Sequence, residues 1–248
     1  NDEGAARYWE LFIDLLLVAA ASALADLVMI HDRLTLDYVL LYSAFVNSWL
    51  MYAHHYAARF QENSLAHSAV LYVYVLGMAI SIVNVEEPRY FSLALILQRS
   101  AFICMLVPIF CLERARPMVS LLCAWVTTTI VCFGIAAAFP SWSLWAWGAV
   151  AVIDYSAEFT LAAALPGNKL IPVNIEHSKD RLGTLVLIML GETCISVTIA
   201  YRETHVDKKG CYYAMLMLAF LLIFLECLAY FNVQPPKAHH AFRRSRFF

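Results

Sequence analysis

The apolar residues of this chain fall into long blocks and not into single stripes. Each block is about 20 residues long, the length that a helix needs to cross the hydrocarbon core of a bilayer. A soluble helix has one apolar face, whereas these blocks are apolar on every face. The pattern therefore predicts an all-α, polytopic transmembrane bundle over residues 1–233, with eight spans at 9–30, 36–57, 65–85, 91–112, 118–139, 143–165, 182–201 and 211–233.

Composition supports a membrane protein and excludes some classes. Hydrophobic residues make up 62% of the chain and charged residues 15%, with a mean hydropathy of +0.68, whereas soluble domains have about 25% charged residues. No lysine lies within a predicted span, which excludes a retinal Schiff base. Neither a phosphate-binding GxxxxGK[ST] loop nor a GxGxxG motif is present, so the sequence indicates no nucleotide cofactor.

Basic residues predict the orientation. Eleven Lys and Arg lie on the side that holds both termini and five lie in the loops of the other side. Basic loops stay in the cytoplasm, so both termini are predicted to be cytoplasmic. Residues 234–248 form a basic tail with interleaved aromatic residues, which we expect to contact anionic lipid headgroups. We expect membrane lipid as a partner and not nucleic acid, because no nucleic-acid-binding fold is present.

Acidic residues interrupt the predicted spans. An ionised carboxylate near the bilayer centre costs roughly 2.5–3.5 kcal/mol, so these groups should face protein, water or an ion. Glu10 and Asp14 lie one helical turn apart, and Asp154 and Glu158 repeat this spacing. Like charges at that distance repel each other, which favours binding of a proton or a cation. The alternative is that one member caps a helix or pairs with an arginine.

Arg99 is the basic residue placed deepest in a predicted span. A buried guanidinium needs a carboxylate partner, and Asp14, Asp154 and Glu192 are the candidates. Glu192 lies near the middle of the seventh span. The sequence leaves open whether the pair locks the bundle or acts as a functional gate with its neighbour Gln98.

The histidines and the tryptophans near span ends have ordinary structural interpretations. A metal site would combine His54, His55 or His67 with Glu62, but the spacing does not match HExxH or the histidine boxes of membrane di-iron enzymes. We therefore predict no metal and no cofactor, with the histidines forming interfacial hydrogen bonds. The tryptophans near span ends are predicted to form an interfacial belt: Trp9, Trp49, Trp142, Trp145 and Trp147.

Two segments carry recognisable motifs, WELFIDLLLVAA in the first block and IEHSKDRLGTLVLIMLGETCIS leading through the seventh. They resemble the two signature blocks of the low-temperature-requirement A (LtrA) membrane family, and QRS and VIDYSAEF lie between them in the expected order. Asp180 stands where that family has Glu. The resemblance implies a multi-helix bundle whose matched polar residues are Glu10, Asp14, Gln98, Arg99, Asp154, His177, Arg181 and Glu192.

A second likeness concerns the first helix. RYWELFIDLLLVAAAS is similar to the R-x-E-x-F-S-D helix of the potassium-channel family known by its FSD motif, although Ile13 replaces the serine. DRLGTLVLIMLGET follows the same pattern more loosely. Together the two segments imply an internal duplication, an arrangement common in transport folds.

Three functions follow as hypotheses. The first is a channel or secondary transporter for protons or cations, because acids outnumber basic residues within the spans. The second, left open but not favoured, is an intramembrane enzyme or a cofactor- or metal-binding protein using the same carboxylates, and the third is a structural or sensory protein. A small ion or small molecule is the expected ligand. A homodimer is one hypothesis for the oligomeric state. The transport hypothesis assigns the ion site to Glu10, Asp14, Asp154, Glu158 and Glu192, and counter-ion and gating roles to Arg99, Gln98, His177 and Arg181.

Overall fold

The computed structural model describes residues 8–32, 35–60, 64–165, 171–203 and 210–232, and within these ranges the chain contains helices and no strand. Helix α2 continues directly into a π-helical turn, and a short 3₁₀ turn at Pro140–Trp142 precedes α6. The helices are α1 (Tyr8–His31), α2 (Leu36–Leu50) with its π turn (Met51–Ala57), α3 (Leu65–Val83), α4 (Pro88–Phe110), α5 (Arg116–Ala138), α6 (Ser143–Ala164), α7 (Ile175–Glu203) and α8 (Gly210–Asn232).

Helix starts follow local chemistry. Pro88 and Pro117 stand in the first turns of α4 and α5, where the missing backbone N–H costs nothing. The Ser64 hydroxyl accepts the backbone N–H of His67 at 3.1 Å and caps α3. The Asn174 side chain accepts the backbone N–H of His177 at 3.1 Å and caps α7. The α7 cap lies eight residues before the predicted span, so the polar segment that precedes the span is helical as well.

Six of the described helices are long and apolar enough to span a membrane, namely α1, α3, α4, α5, α7 and α8. Regular α2 has 15 residues before the π turn begins. Helix α6 has 22 residues, but two acids lower its hydropathy. The multi-helix membrane fold is thus confirmed, whereas eight spans and the internal duplication stay predictions.

Six helices form a closed ring in the described part of the chain. In order around the ring, α1 packs on α2, α2 on α6, α6 on α5, α5 on α4, α4 on α3, and α3 returns to α1. Helix α7 packs on the outside of α1, and α8 packs on α7. The apolar stretch of α8 is not buried by protein, and that of α7 is largely exposed. The ring therefore holds the protein core, and α7 connects it to a peripheral hairpin.

Gly77 sets the closest approach of α3 and α4. A Cβ atom at this position would lie 2.9 Å from both the Cβ and the backbone nitrogen of Gln98. Real Cβ atoms do not approach other atoms so closely, so a larger residue would push α4 away. The glycine therefore fixes the turn of α4 that carries Gln98 and Arg99, both fully buried.

The predicted tryptophan belt is wrong for Trp49 and Trp147, which are each only 5% exposed. Both indole N–H groups find acceptors inside the bundle. Trp49 donates to Asp14 and Trp147 donates to Ser92. A buried indole requires such an acceptor. The other tryptophans of the predicted belt are exposed: Trp9, Trp142 and Trp145.

Candidate functional site

One buried ion pair lies inside the ring. Arg99 of α4 donates from Nη1 to Asp154 Oδ1 at 3.1 Å and from Nη2 to Oδ2 at 2.6 Å. Its Nη1 also donates to Thr129 Oγ1 of α5 at 3.0 Å, and the guanidinium lies 5.3 Å from the centroid of the Phe133 ring. Neither charged side chain is more than 1% exposed. Both carboxylate oxygens of Asp154 thus bind the arginine, in the two-pronged geometry of a strong pair.

A second buried pair joins α1 to α7. Asp14 Oδ1 accepts hydrogen bonds from Arg181 Nη2 at 3.2 Å and Nε at 3.4 Å, and from Trp49 Nε1 at 2.5 Å. The Asp14 side chain is 1% exposed and that of Arg181 is 3% exposed. Among the described residues, Asp14 Oδ2 and Arg181 Nη1 have no hydrogen-bond partner. This pair is therefore as buried as the first, but only one of its two carboxylate oxygens is occupied.

Glu10 lies one turn before Asp14 and faces the same helix. Its Oε2 lies 3.4 Å from Nε2 of His177, whose side chain is 24% exposed while that of Glu10 is 4% exposed. His177 lines a cavity of about 340 Å³ together with Arg59 and the capping residue Asn174. The imidazole therefore lies between the cavity and the buried acids.

The contacts between α1 and α7 continue toward the other end of both helices. Ser22 Oγ donates to Glu192 Oε1 at 3.4 Å, and Glu192 is half-buried. The three polar pairs, residues 10–177, 14–181 and 22–192, rise in the same order on both helices, so α1 and α7 are parallel. They cover about 18 Å of helix length at 1.5 Å per residue. We call these three pairs the α1–α7 interface.

A larger cavity lies at the opposite end of the bundle. It has a volume of about 780 Å³ and is lined by the end of α1, the start of α2 and the starts of α4 and α6. Trp147 in its wall packs on Phe91, and Phe91 packs on Phe45, with ring centroids 5.4 and 5.6 Å apart. Its wall residue Leu27 lies about 25 Å along α1 from Glu10. The buried charges therefore lie between two cavities at opposite ends.

The last turns of α2 and the π turn connect the two ion pairs. Ser48 Oγ donates to Gln98 Oε1 at 2.9 Å, next to Arg99. Met51 Sδ lies 3.9 Å from Arg99 Nη1. On the other side, the Arg181 guanidinium lies 5.3 Å from the centroid of the Tyr52 ring. Turns of π-helix occur frequently at functional sites, and here one holds residues against both arginines.

The structure brings most of the predicted site residues together, but in two groups. Of its three candidate partners, Arg99 pairs with Asp154. Asp14, a second candidate, pairs with Arg181. Glu192 meets Ser22 and not Arg99. The side chain of Glu158 lies outside the described part of the structure.

Trp49 is the site residue that sequence reasoning missed. Its place near a predicted span end suggested the membrane interface, whereas it contacts both members of the Asp14 pair. The signal that could have found it is local. Asn47 and Ser48 precede it, and polar residues within an apolar block indicate a face turned toward protein.

The histidines of the metal interpretation make contacts with aromatic rings in the described residues. Tyr56 stacks on His67 with ring centroids 5.2 Å apart, and His55 packs edge-on against Trp125 at 5.0 Å. No group of three or more His, Cys, Asp or Glu in the described ranges is arranged to hold a metal ion. Glu62, the acid of the metal interpretation, lies outside those ranges.

Comparison with known proteins supports one family. No curated protein and no solved structure matches the chain. The family model described as bacterial low temperature requirement A protein (LtrA) matches residues 5–248, nearly the whole length. With its apolar helices, the protein is an integral membrane protein, and the chain belongs to the LtrA family.

Proposed function

We propose that this protein is a channel or secondary transporter that moves protons or cations, with the exchanging group in the α1–α7 interface. The observation that supports this most directly is Asp14, a buried carboxylate with one oxygen held by three donor atoms and the other without a described donor. An oxygen without a donor is the position at which a buried carboxylate takes up a proton. Within membranes, carboxylates and histidines in such chains are typical of proton relays.

The surroundings of Asp14 favour a proton as the exchanging species. Its other carboxylate oxygen lies against the permanent charge of Arg181, which opposes a second, metal cation at the same place. Glu10 and His177 lie between Asp14 and the smaller cavity. An imidazole can both take up and release a proton, so His177 is suited to pass protons from the cavity to Glu10.

The two cavities supply the access that transport requires. In the topology that we propose, with eight spans and cytoplasmic termini, the 340 Å³ cavity opens to the cytoplasm and the 780 Å³ cavity to the other side. The buried rings of Phe45, Phe91 and Trp147 close the larger cavity toward the charges. Glu192 extends the α1–α7 interface toward that side. Transport would require a rearrangement of these closures, as in alternating access.

Flux across liposomes tests the proposal. Purified protein is reconstituted with a pH-sensitive dye inside, and proton, potassium and sodium gradients are imposed in turn. We expect wild-type flux, a loss of at least about tenfold in Asp14→Asn, and a smaller loss in Glu192→Gln. Glu113→Gln, an exposed acid in the α4–α5 loop, is the matched control and should keep wild-type flux. Absence of wild-type flux under every gradient, with folded protein, would overturn the proposal.

One observation favours the structural or sensory alternative for part of the bundle. The Arg99–Asp154 pair has both carboxylate oxygens bonded, so it is suited to fix helix packing. If this is its whole role, Arg99→Asp alone and Asp154→Arg alone should each lower stability and flux. The double variant with both exchanges should then restore stability and flux. Restored stability without flux would assign the pair to the transport pathway.

A further inference from the structure

Trp49 contacts both members of the Asp14–Arg181 ion pair. Its Nε1 lies 2.5 Å from Asp14 Oδ1, and the Arg181 guanidinium lies 5.4 Å from the centroid of its ring. The side chain is 5% exposed. An indole N–H only donates hydrogen bonds, so Trp49 requires an acceptor at Oδ1.

The donors around Oδ1 determine where a proton can bind. Arg181 donates to this oxygen from two nitrogens and Trp49 from a third. A proton on Oδ1 would compete with all three donors, whereas a proton on Oδ2 leaves them in place. We propose that Trp49 is a positioning residue, which keeps Oδ1 of Asp14 as an acceptor and directs proton exchange to Oδ2. This inference rests on the proposed function, and it names the residue that controls the affinity of the site for protons.

Charged and titratable groups surround the carboxylate on each side. Glu10 acts on it from α1 itself and Arg181 from α7, where His177 lies one turn away. Tyr52 contacts Arg181 from the π turn, and Tyr74 of α3 lies within electrostatic reach of the same guanidinium. None of these groups occupies the position of the indole N–H, so its removal should change the site in a specific direction.

The first test is Trp49→Phe, which keeps an aromatic ring beneath Arg181 and removes the donor. Loss of a donor destabilises the charged carboxylate and makes protonation easier. We therefore expect the pH midpoint of proton flux to rise by about one to two pH units, with the maximal rate largely kept. Trp125→Phe is the matched control, because it removes a buried indole N–H that has no hydrogen-bond partner among the described residues. It should leave the midpoint unchanged.

A second variant keeps the shape of the side chain. Benzothienylalanine at position 49 has sulfur where indole has N–H, so it fills the same space without a donor. Its pH midpoint should rise as in Trp49→Phe. An unchanged midpoint in this variant, or an equal rise in Trp125→Phe, would overturn the positioning role.

An infrared titration separates this inference from the proposed function. The carbonyl band of protonated Asp14, assigned by its loss in Asp14→Asn, is followed against pH in detergent-purified protein without any gradient. Removal of the Trp49 donor should move its midpoint upward whether or not the protein carries flux. Wild-type protein without flux would therefore overturn the proposed function alone, whereas an unmoved band midpoint would overturn the role of Trp49.

Discussion

The two buried arginine–aspartate pairs differ in how their carboxylates are occupied. Asp154 gives both oxygens to Arg99, within the ring of six helices. Asp14 gives one oxygen to Arg181 and Trp49 and keeps the other without a described donor, where the ring meets the peripheral α7. Residue type and burial are the same, so neither distinguishes a packing role from an exchanging one. The two roles are distinguished instead by the number of hydrogen-bond donors on each carboxylate oxygen.

The largest expected effect is the loss of Arg99. Arg99→Ala leaves Asp154 buried without its partner, and breaking a buried pair from one side costs about 3–5 kcal/mol. We expect a large fall in the thermal midpoint in detergent, and a smaller fall in Arg181→Ala, because Trp49 still donates to Asp14. Equal falls in the two variants would remove the distinction between the pairs.

The next effect separates stability from flux. Asp14→Asn should lower proton flux at least about tenfold and should lower the thermal midpoint moderately, because Arg181 stays buried without its counter-charge, whereas Asp154→Asn should lower the midpoint more. The reason is that Asp154 binds Arg99 through both carboxylate oxygens, at 3.1 and 2.6 Å, and Asp154→Asn removes the charge from both bonds. Flux and thermal midpoint measured on the same preparations give both quantities. The opposite pattern would assign proton exchange to the pair inside the ring.

A third change tests the packing that holds the ring pair. Gly77→Ala should destabilise the protein by about 1–3 kcal/mol, since the new Cβ would overlap the α4 turn of Gln98. Gly134→Ala is the control, because its Cβ meets open space and a helical alanine is favoured by about 0.5–1 kcal/mol over glycine. Denaturation of both variants by heat measures the difference. A neutral Gly77→Ala would mean that α3 and α4 can separate without cost.

The smallest effect is expected at the far end of the α1–α7 interface. Ser22→Ala removes a 3.4 Å hydrogen bond to Glu192, and such bonds between membrane helices contribute about 0.6 kcal/mol on average. We expect a small change in thermal midpoint and a measurable change in flux. A change in flux no larger than that of the exposed control Glu113→Gln would confine the exchanging site to the other two pairs of the interface.

The apolar blocks predicted the helices well, but not the start of α7. The span was predicted from residue 182, whereas α7 begins at Ile175. Hydropathy excludes polar segments from a span, yet His177 and Arg181 lie within α7, where they face the acids of α1. The Asn174 cap marks the true start.

Sequence reasoning also predicted that Arg99 needs a carboxylate, but not which one. Burial cost is a property of the residue and can be read from its position in a span, whereas partner choice depends on how α4, α6 and α1 are arranged in the ring. The same limit applies to Trp49, whose acceptor lies 35 residues away in sequence. Pairs between distant helices follow from packing, which the hydrophobic pattern does not encode.

The parallel contact of α1 with α7 has a consequence for biogenesis. Asp14 and Arg181 are separated by 167 residues, so the first helix is synthesised long before its counter-charge exists. Until then two acids of α1 enter the membrane without the basic residues of α7, at a cost of several kcal/mol. Helix α1 therefore gains its final stability only when the seventh helix arrives. Insertion of the first helix and folding of the last third of the chain are thus one coupled process.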